Sequence, residues 1–201
     1  MSSPHFSPLP QPGLIVFPGF IAQKPESFFM QEEKVWTLSD SLLVSFASGE
    51  PFMKVKCPSR KETVFCTTQG QEVLRITKRK HHFTGKGSEY RGIRPDGSEA
   101  FYLALQRKLT ETGYDLTVNP ISSQTLPLAI QKNVMGQSAV IMVNGSPAAG
   151  FKDGNGWTHM RSQFEIHVAP GMDILLALAV NWVRHDKHME DQKAAVSAAT
   201  G

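Results

Sequence analysis

Apolar and polar residues alternate in short bursts along most of this chain, and the last burst runs straight into a stretch with almost no polar residue. Phe164, Ile166 and Val168 alternate with Glu165 and His167, the period-two pattern of a half-buried strand. Pro170-Gly171 breaks that strand, and Met172 to Val183 follows with Asp173 and Asn181 as its only polar members. A helix that is apolar on every side must be enclosed by other elements. The run is also shorter than the roughly 20 apolar residues that a bilayer span requires. The pattern therefore predicts a buried C-terminal helix.

The same alternation marks earlier strands. Leu42, Val44 and Phe46 carry it, as do Met53, Val55 and Cys57, then Leu74 and Ile76. It continues through Phe101, Leu103 and Leu105, through Tyr114, Leu116 and Val118, through Leu126, Leu128 and Ile130, and through Ala139, Ile141 and Val143. Turn residues sit between these runs at Ser48-Gly49, Gln69-Gly70, Asp96-Gly97, Thr112-Gly113 and Asn144-Gly145. Glycine supplies the positive φ of tight hairpins, and Asn or Asp before it favours the type I′ turn. Strands so spaced and so joined predict an antiparallel sandwich or barrel. A barrel of about eight strands fills its interior with its own side chains, whereas a wider one accommodates a helix. The expected fold is mainly β: a closed antiparallel barrel of about twelve strands enclosing the hydrophobic C-terminal helix.

Composition changes this picture at the N-terminus. Six of the thirteen prolines fall within the first 25 residues, and Lys24 is the first charged residue. Residues 1–26 are expected to be a Pro-rich, mostly disordered leader with at most a short strand near Leu14 to Phe17. A secretory signal would need a basic n-region ahead of its apolar core, which this segment lacks. The barrel domain is expected over 27–190 and a flexible tail over 191–201. A formal net charge of +3 is too small to argue for nucleic acid by itself. The two cysteines, Cys57 and Cys66, exclude a disulfide-built scaffold. On a hairpin turning near Ser59-Arg60 they stand out of register, poorly placed to bridge.

The quoted runs together resemble the LURP-one-related family, a branch of the tubby C-terminal-like superfamily related to phospholipid scramblases. The likeness is carried by Leu38-Ser39-Asp40, Val44, Ser48-Gly49, Phe52 and Val55, then by Gly70, Val73-Leu74, Ile76, Lys78, Arg79 and Lys80. It closes on Phe164, Ile166, Val168, Ala169-Pro170-Gly171, Asp173, Leu175 and Leu176, and it spans about Phe20 to Asp186. The chain departs from the family at His81-His82-Phe83, where a Trp is usual, and in the Gly-rich stretch Ser146 to Gln163. The palmitoylated cysteine clusters of scramblases are also missing. The resemblance implies a twelve-stranded barrel around a central helix, with Pro170, Gly171, Asp173, Leu175 and Leu176 structural, and it implies no catalytic residue. Tubby relatives bind phosphoinositides through basic side chains, but those positions do not align with this sequence.

Candidate chemistry centres on Lys78-Arg79-Lys80-His81-His82, with Lys86, Arg91 and Arg94 nearby. On a strand Lys78 and Lys80 face one way and Arg79 the other. Projecting past a rim, the run would contact an anionic lipid surface at about 1 kcal/mol per cation. The competing explanation is a solvated strand end whose lysines discourage edge pairing. Adjacent His81 and His82 face opposite ways and do not chelate together. His185 and His188 lie i, i+3 on a helical extension and serve either as cations near a helix C-terminus or as a shared ligand pair. Asp173 suits the positive end of the helix, accepting from free N–H groups. Gly150 to Trp157 is expected to be a mobile loop, with Trp157 an anchor or a partner contact. No GxSxG, P-loop or Rossmann fingerprint is present. Phe83 and Tyr90 are the limited aromatic platform beside the basic strand.

The chain is thus expected to be a non-catalytic cytoplasmic binding or adaptor module, peripheral at phosphoinositide-containing membranes, whose partner is an anionic phospholipid or a protein. The alternative is an enzyme or small-molecule-binding barrel with a site at its mouth. No cofactor, metal or nucleic-acid partner is expected.

Overall fold

A computed structural model of the protein describes residues 6–32, 41–81, 87–107, 112–121, 127–132, 138–153 and 163–200. Among them twelve strands form one antiparallel sheet that curls into a nearly closed barrel. The strands are β1 (Glu26–Glu32), β2 (Ser41–Phe46), β3 (Pro51–Ser59), β4 (Glu62–Thr67), β5 (Glu72–Arg79) and β6 (Glu89–Ile93). They continue as β7 (Glu99–Arg107), β8 (Thr112–Val118), β9 (Leu128–Lys132), β10 (Ser138–Val143), β11 (Ser146–Asp153) and β12 (Gln163–Val168). A helix, α1 (Ile174–Thr200), ends the chain. Sequence neighbours pair throughout, except that β8 and β9 stand alongside each other as the two ends of the hydrogen-bonded order. The pairing of β1 with β12 joins the two halves.

Alternation decides which side chains enter the barrel. Val44, Met53, Val55, Leu74, Ile76, Phe101, Leu103, Ile141 and Ile166 are fully or almost fully buried. Their strand neighbours Lys54, Lys56 and Thr77 are exposed. α1 fills the interior: every residue from Ile174 to Val183 is buried. Its contacts come from strands all round the sheet. Asn181 reaches Met30 on β1, Trp182 meets Tyr90 on β6 edge-on at 6.2 Å, and His185 packs on Phe164 of β12 at 4.6 Å. The β10–β11 turn is the one expected, with Asn144 at φ 50° and Gly145 at φ 76°. In the β3–β4 hairpin Cys66 lies opposite Lys54, while Cys57 accepts from Thr63, so the two thiols are out of register as expected.

The N-terminal expectation is corrected. Residues 1–5 lie outside the described residues, but 6–25 are packed, with Leu9, Leu14, Val16, Phe17 and Ala22 in the core. The segment closes the barrel end at which α1 starts. Its backbone bonds run to the strand-helix corner: Leu9 N to Pro170 O, Leu14 N to Gly171 O, and Ala22 N to Met172 O. Gly13 and Gly171 meet so closely that a Cβ on Gly13, itself at φ +83°, would lie 2.3 Å from the Gly171 oxygen. Prolines exclude regular structure here without excluding burial, and the uncharged residues from Gly13 to Ala22 suit an apolar barrel end.

Three further expectations change. The tail from residue 191 is helical through Thr200. Its alanines are strong helix formers, extending a helix already nucleated inside the barrel. Gly150 to Asp153 belong to β11, whereas 154–160, including Trp157, lie outside the described residues. Thr112 and Gly113 open β8 where a turn was expected.

Candidate functional site at the helix-exit rim

The basic strand end lies where α1 leaves the barrel, and the structure divides its cations between two roles. Lys78 follows Leu74 and Ile76 on the inner face of β5 and is 7% exposed. A buried ammonium needs opposite charge, and α1 supplies it. Asp186 and Glu190, one helical turn apart and therefore on one face, both pair with Lys78, Glu190 at 2.7 Å. The Tyr90 hydroxyl donates to Asp186 at 2.7 Å, and the Lys78 ammonium sits 5.4 Å from the Tyr90 ring centre. Burial, then the Asp186 charge, push the Tyr90 phenol far above its ordinary value. Lys80, on the same side of the strand as expected, also pairs with Glu190. Burial raises the Glu190 carboxyl, but bonds from Lys78 and Lys80 outweigh it and hold the group below its usual range.

The expectation that the whole run projects past the rim to an anionic surface is therefore corrected for Lys78, which the helix encloses. Tyr90 is likewise no surface platform, being fully buried. Arg79 is exposed on the outer face. Arg91 pairs with Glu99 at 2.6 Å and lies 5.1 Å from the Tyr102 ring centre. Arg94 belongs to the opposite end of the barrel. It donates to the Val16 and Glu99 carbonyls at 2.9 and 3.0 Å and to Asn119 O, so it clamps the N-terminal segment. Lys86, His82 and Phe83 lie outside the described residues, and His81 stands 3.0 Å from Glu89.

Cations from an unexpected hairpin complete the rim. Lys61 O accepts from Lys78 N at 2.8 Å, and Glu62 pairs with Thr77, so the β3–β4 tip is set beside the end of β5. Lys56, Arg60, Lys61, Arg79 and Lys80 are all exposed there. The run from Lys56 to Lys61, three cations in six residues, was the available signal. The alternation of Met53, Val55 and Cys57 overlaps this run and masks it.

At the other end of the barrel Asp173 does more than cap the helix. Its Oδ1 accepts from Leu176 N at 2.9 Å, and its Oδ2 accepts from Val16 N at 2.8 Å and Phe17 N at 2.6 Å. Burial pushes this carboxyl up to about 7 against those backbone donors. Pro170, Gly171, Leu175 and Leu176 are structural: Pro170 O and Gly171 O receive the N-terminal segment, and both leucines are fully buried.

Histidines sit at structural junctions. On the outer face His167 Nδ1 lies 2.9 Å from Ser27 Oγ and its Nε2 lies 3.1 Å from Glu165, which pins the register of β1 on β12. His185 and His188 fall mid-helix, so the helix C-terminus does not account for them. Among the described residues no group of three or more His, Cys, Asp or Glu side chains is placed to hold a metal ion, and no helix is long and apolar enough to cross a membrane.

Burial pushes His185 down to about 4 from its ordinary 6.5. As pH falls from 6.5 to 4 the unfolded chain gains this proton while the fold does not, so stability is lost on acidification across that window. The limit is about 3 kcal/mol at about 1.4 kcal/mol per unit. Asp173, raised in the fold, acts in the opposite sense. The test is therefore the difference between wild type and His185→Gln in urea midpoints at neutral pH and near the lower end of the window. The variant is expected to lose less stability on acidification, and parallel pH profiles would refute the assignment.

An X-ray structure of a protein from Arabidopsis thaliana is similar at a TM-score of 0.61 and 14% identity, over 88% of this chain and 99% of that one, which is a likeness of fold. No curated protein matches the sequence. The sequence model of the LURP-one-related family matches residues 27–183, from β1 to the last fully buried residue of α1. The chain therefore belongs to the LURP-one-related family.

Proposed function

We propose that this protein is a non-catalytic cytoplasmic binding module whose helix-exit rim contacts anionic, phosphoinositide-containing membranes. The observation that carries the proposal is the convergence of Lys56, Arg60, Lys61, Arg79 and Lys80 from two hairpins on one rim. The space that a carrier barrel reserves for its ligand is taken by Leu175, Leu176, Leu178 and Val180, which weighs against a small-molecule site in the lumen. Each exposed cation near an acidic surface contributes about 1 kcal/mol, screened over about 8 Å at physiological salt.

The test is vesicle co-sedimentation at two salt concentrations. Wild type is expected to bind vesicles containing phosphatidylinositol bisphosphate and to release them as salt rises. Changing Lys56, Arg60, Lys61 and Arg79 to Gln is expected to weaken binding by at least about tenfold, with the thermal melt unchanged because all four side chains are exposed. Neutral vesicles should bind neither protein, and single-stranded nucleic acid should bind no better than other polyanions. If wild type ignores the anionic vesicles at low salt, the membrane proposal is wrong.

A further inference from the structure

We infer that Glu190 is a built-in competitor for the anionic ligand of this rim: its carboxylate occupies the ammonium groups of Lys78 and Lys80 and holds the end of α1 over them. The inference rests on the anionic-ligand proposal above. Glu190 accepts from Lys78 at 2.7 Å and also pairs with Lys80, which is the arrangement that a phosphate oxygen would adopt. The two lysines differ in a way that suits exchange. The Lys78 side chain is 4% exposed and keeps Asp186 if Glu190 leaves, so its charge is never orphaned. The Lys80 side chain is 44% exposed and has Glu190 as its acidic partner. A phosphomonoester carries close to two charges and three acceptor oxygens, against one charge and two oxygens for the carboxylate. It therefore outcompetes Glu190 at an exposed lysine. Beyond this point Asp191 and Lys193 to Ser197 are exposed, outside the enclosed part of the helix. The ligand class is thus a phosphomonoester, in a lipid headgroup or in solution, whose binding releases the helix end.

The test compares wild type, Glu190→Gln and the double variant Glu190→Gln with Lys80→Gln. Each is titrated with vesicles containing phosphatidylinositol bisphosphate and with soluble inositol trisphosphate. Glu190→Gln is expected to bind at least about threefold tighter than wild type, because a like charge has been removed from the site, and the double variant is expected to lose that gain. A gain with both probes identifies the phosphate group as sufficient, and a gain with vesicles alone assigns the ligand to the bilayer. Amide exchange over residues 188–197 gives an independent reading: it should quicken in wild type when ligand is added and be quick already in Glu190→Gln. If wild type binds and Glu190→Gln binds no tighter, the competitor role is overturned and the membrane proposal stands. If neither binds either probe, both fall.

Discussion

A chain begun at Ala22 is expected to lose its cooperative thermal transition, even though the family match starts five residues later. Leu9, Leu14, Val16 and Phe17 are each no more than 4% exposed and would all be missing. At about 1.5–3 kcal/mol for each buried side chain, the loss is about 6–12 kcal/mol, comparable with the whole margin of about 5–15 kcal/mol of an ordinary domain. Deletion also strips Asp173 of the Val16 and Phe17 donors, leaving a buried carboxylate short of partners. Circular dichroism melts of the full chain and the truncation decide the matter. A transition within a few degrees of full length would show that the segment is an appendage. Val16→Ala provides a graded control, expected to lower stability by about 1–3 kcal/mol without unfolding the protein.

Leu176→Asp is expected to abolish folding outright. Leu176 is fully buried in the helix that fills the barrel, one turn after the cap at Asp173. A carboxylate there meets apolar side chains, and its desolvation costs several kcal/mol, met only partly by taking up a proton. Expression should yield insoluble protein or a soluble form without a cooperative melt. Leu176→Met, which conserves volume, should cost less than about 1.5 kcal/mol. A soluble Asp variant with the wild-type melting curve would contradict the enclosed helix.

Strands with one wet face were legible, because alternation reports on it directly: Met53 and Val55 are buried while Lys54 and Lys56 are exposed. β4 was not, since Thr63 to Cys66 are all buried. Val64 stands in register between Lys56 and Arg75 and is buried along with its inward-facing neighbours, so the period-two signal vanishes. The loop expected from Gly150 onward is strand as far as Asp153, the end of β11. That glycine marks a close approach instead: a Cβ there would lie 2.9 Å from the Phe6 ring, which packs over the strand. Of the expected basic site, the opposed faces of Lys78 and Arg79 followed from strand geometry. Which face was enclosed depended on where Asp186 and Glu190 arrived, 108 and 112 residues away along the chain.

The sequence by itself determined the antiparallel strand pattern, the I′ turn at Asn144-Gly145 and the enclosure of the final helix. Each of these is a local consequence of side-chain period or backbone conformation. Tertiary structure alone decided that the proline-rich N-terminal segment closes the barrel, because its stability comes from the distant Pro170 to Asp173 corner and from Arg94, and not from any period of its own. It also decided that Lys78 is an internal counterion while Lys56, Arg60 and Lys61 join Arg79 at the rim. Burial of a charge depends on which opposite charge the fold brings to it, and strand register sets which hairpin tips become neighbours.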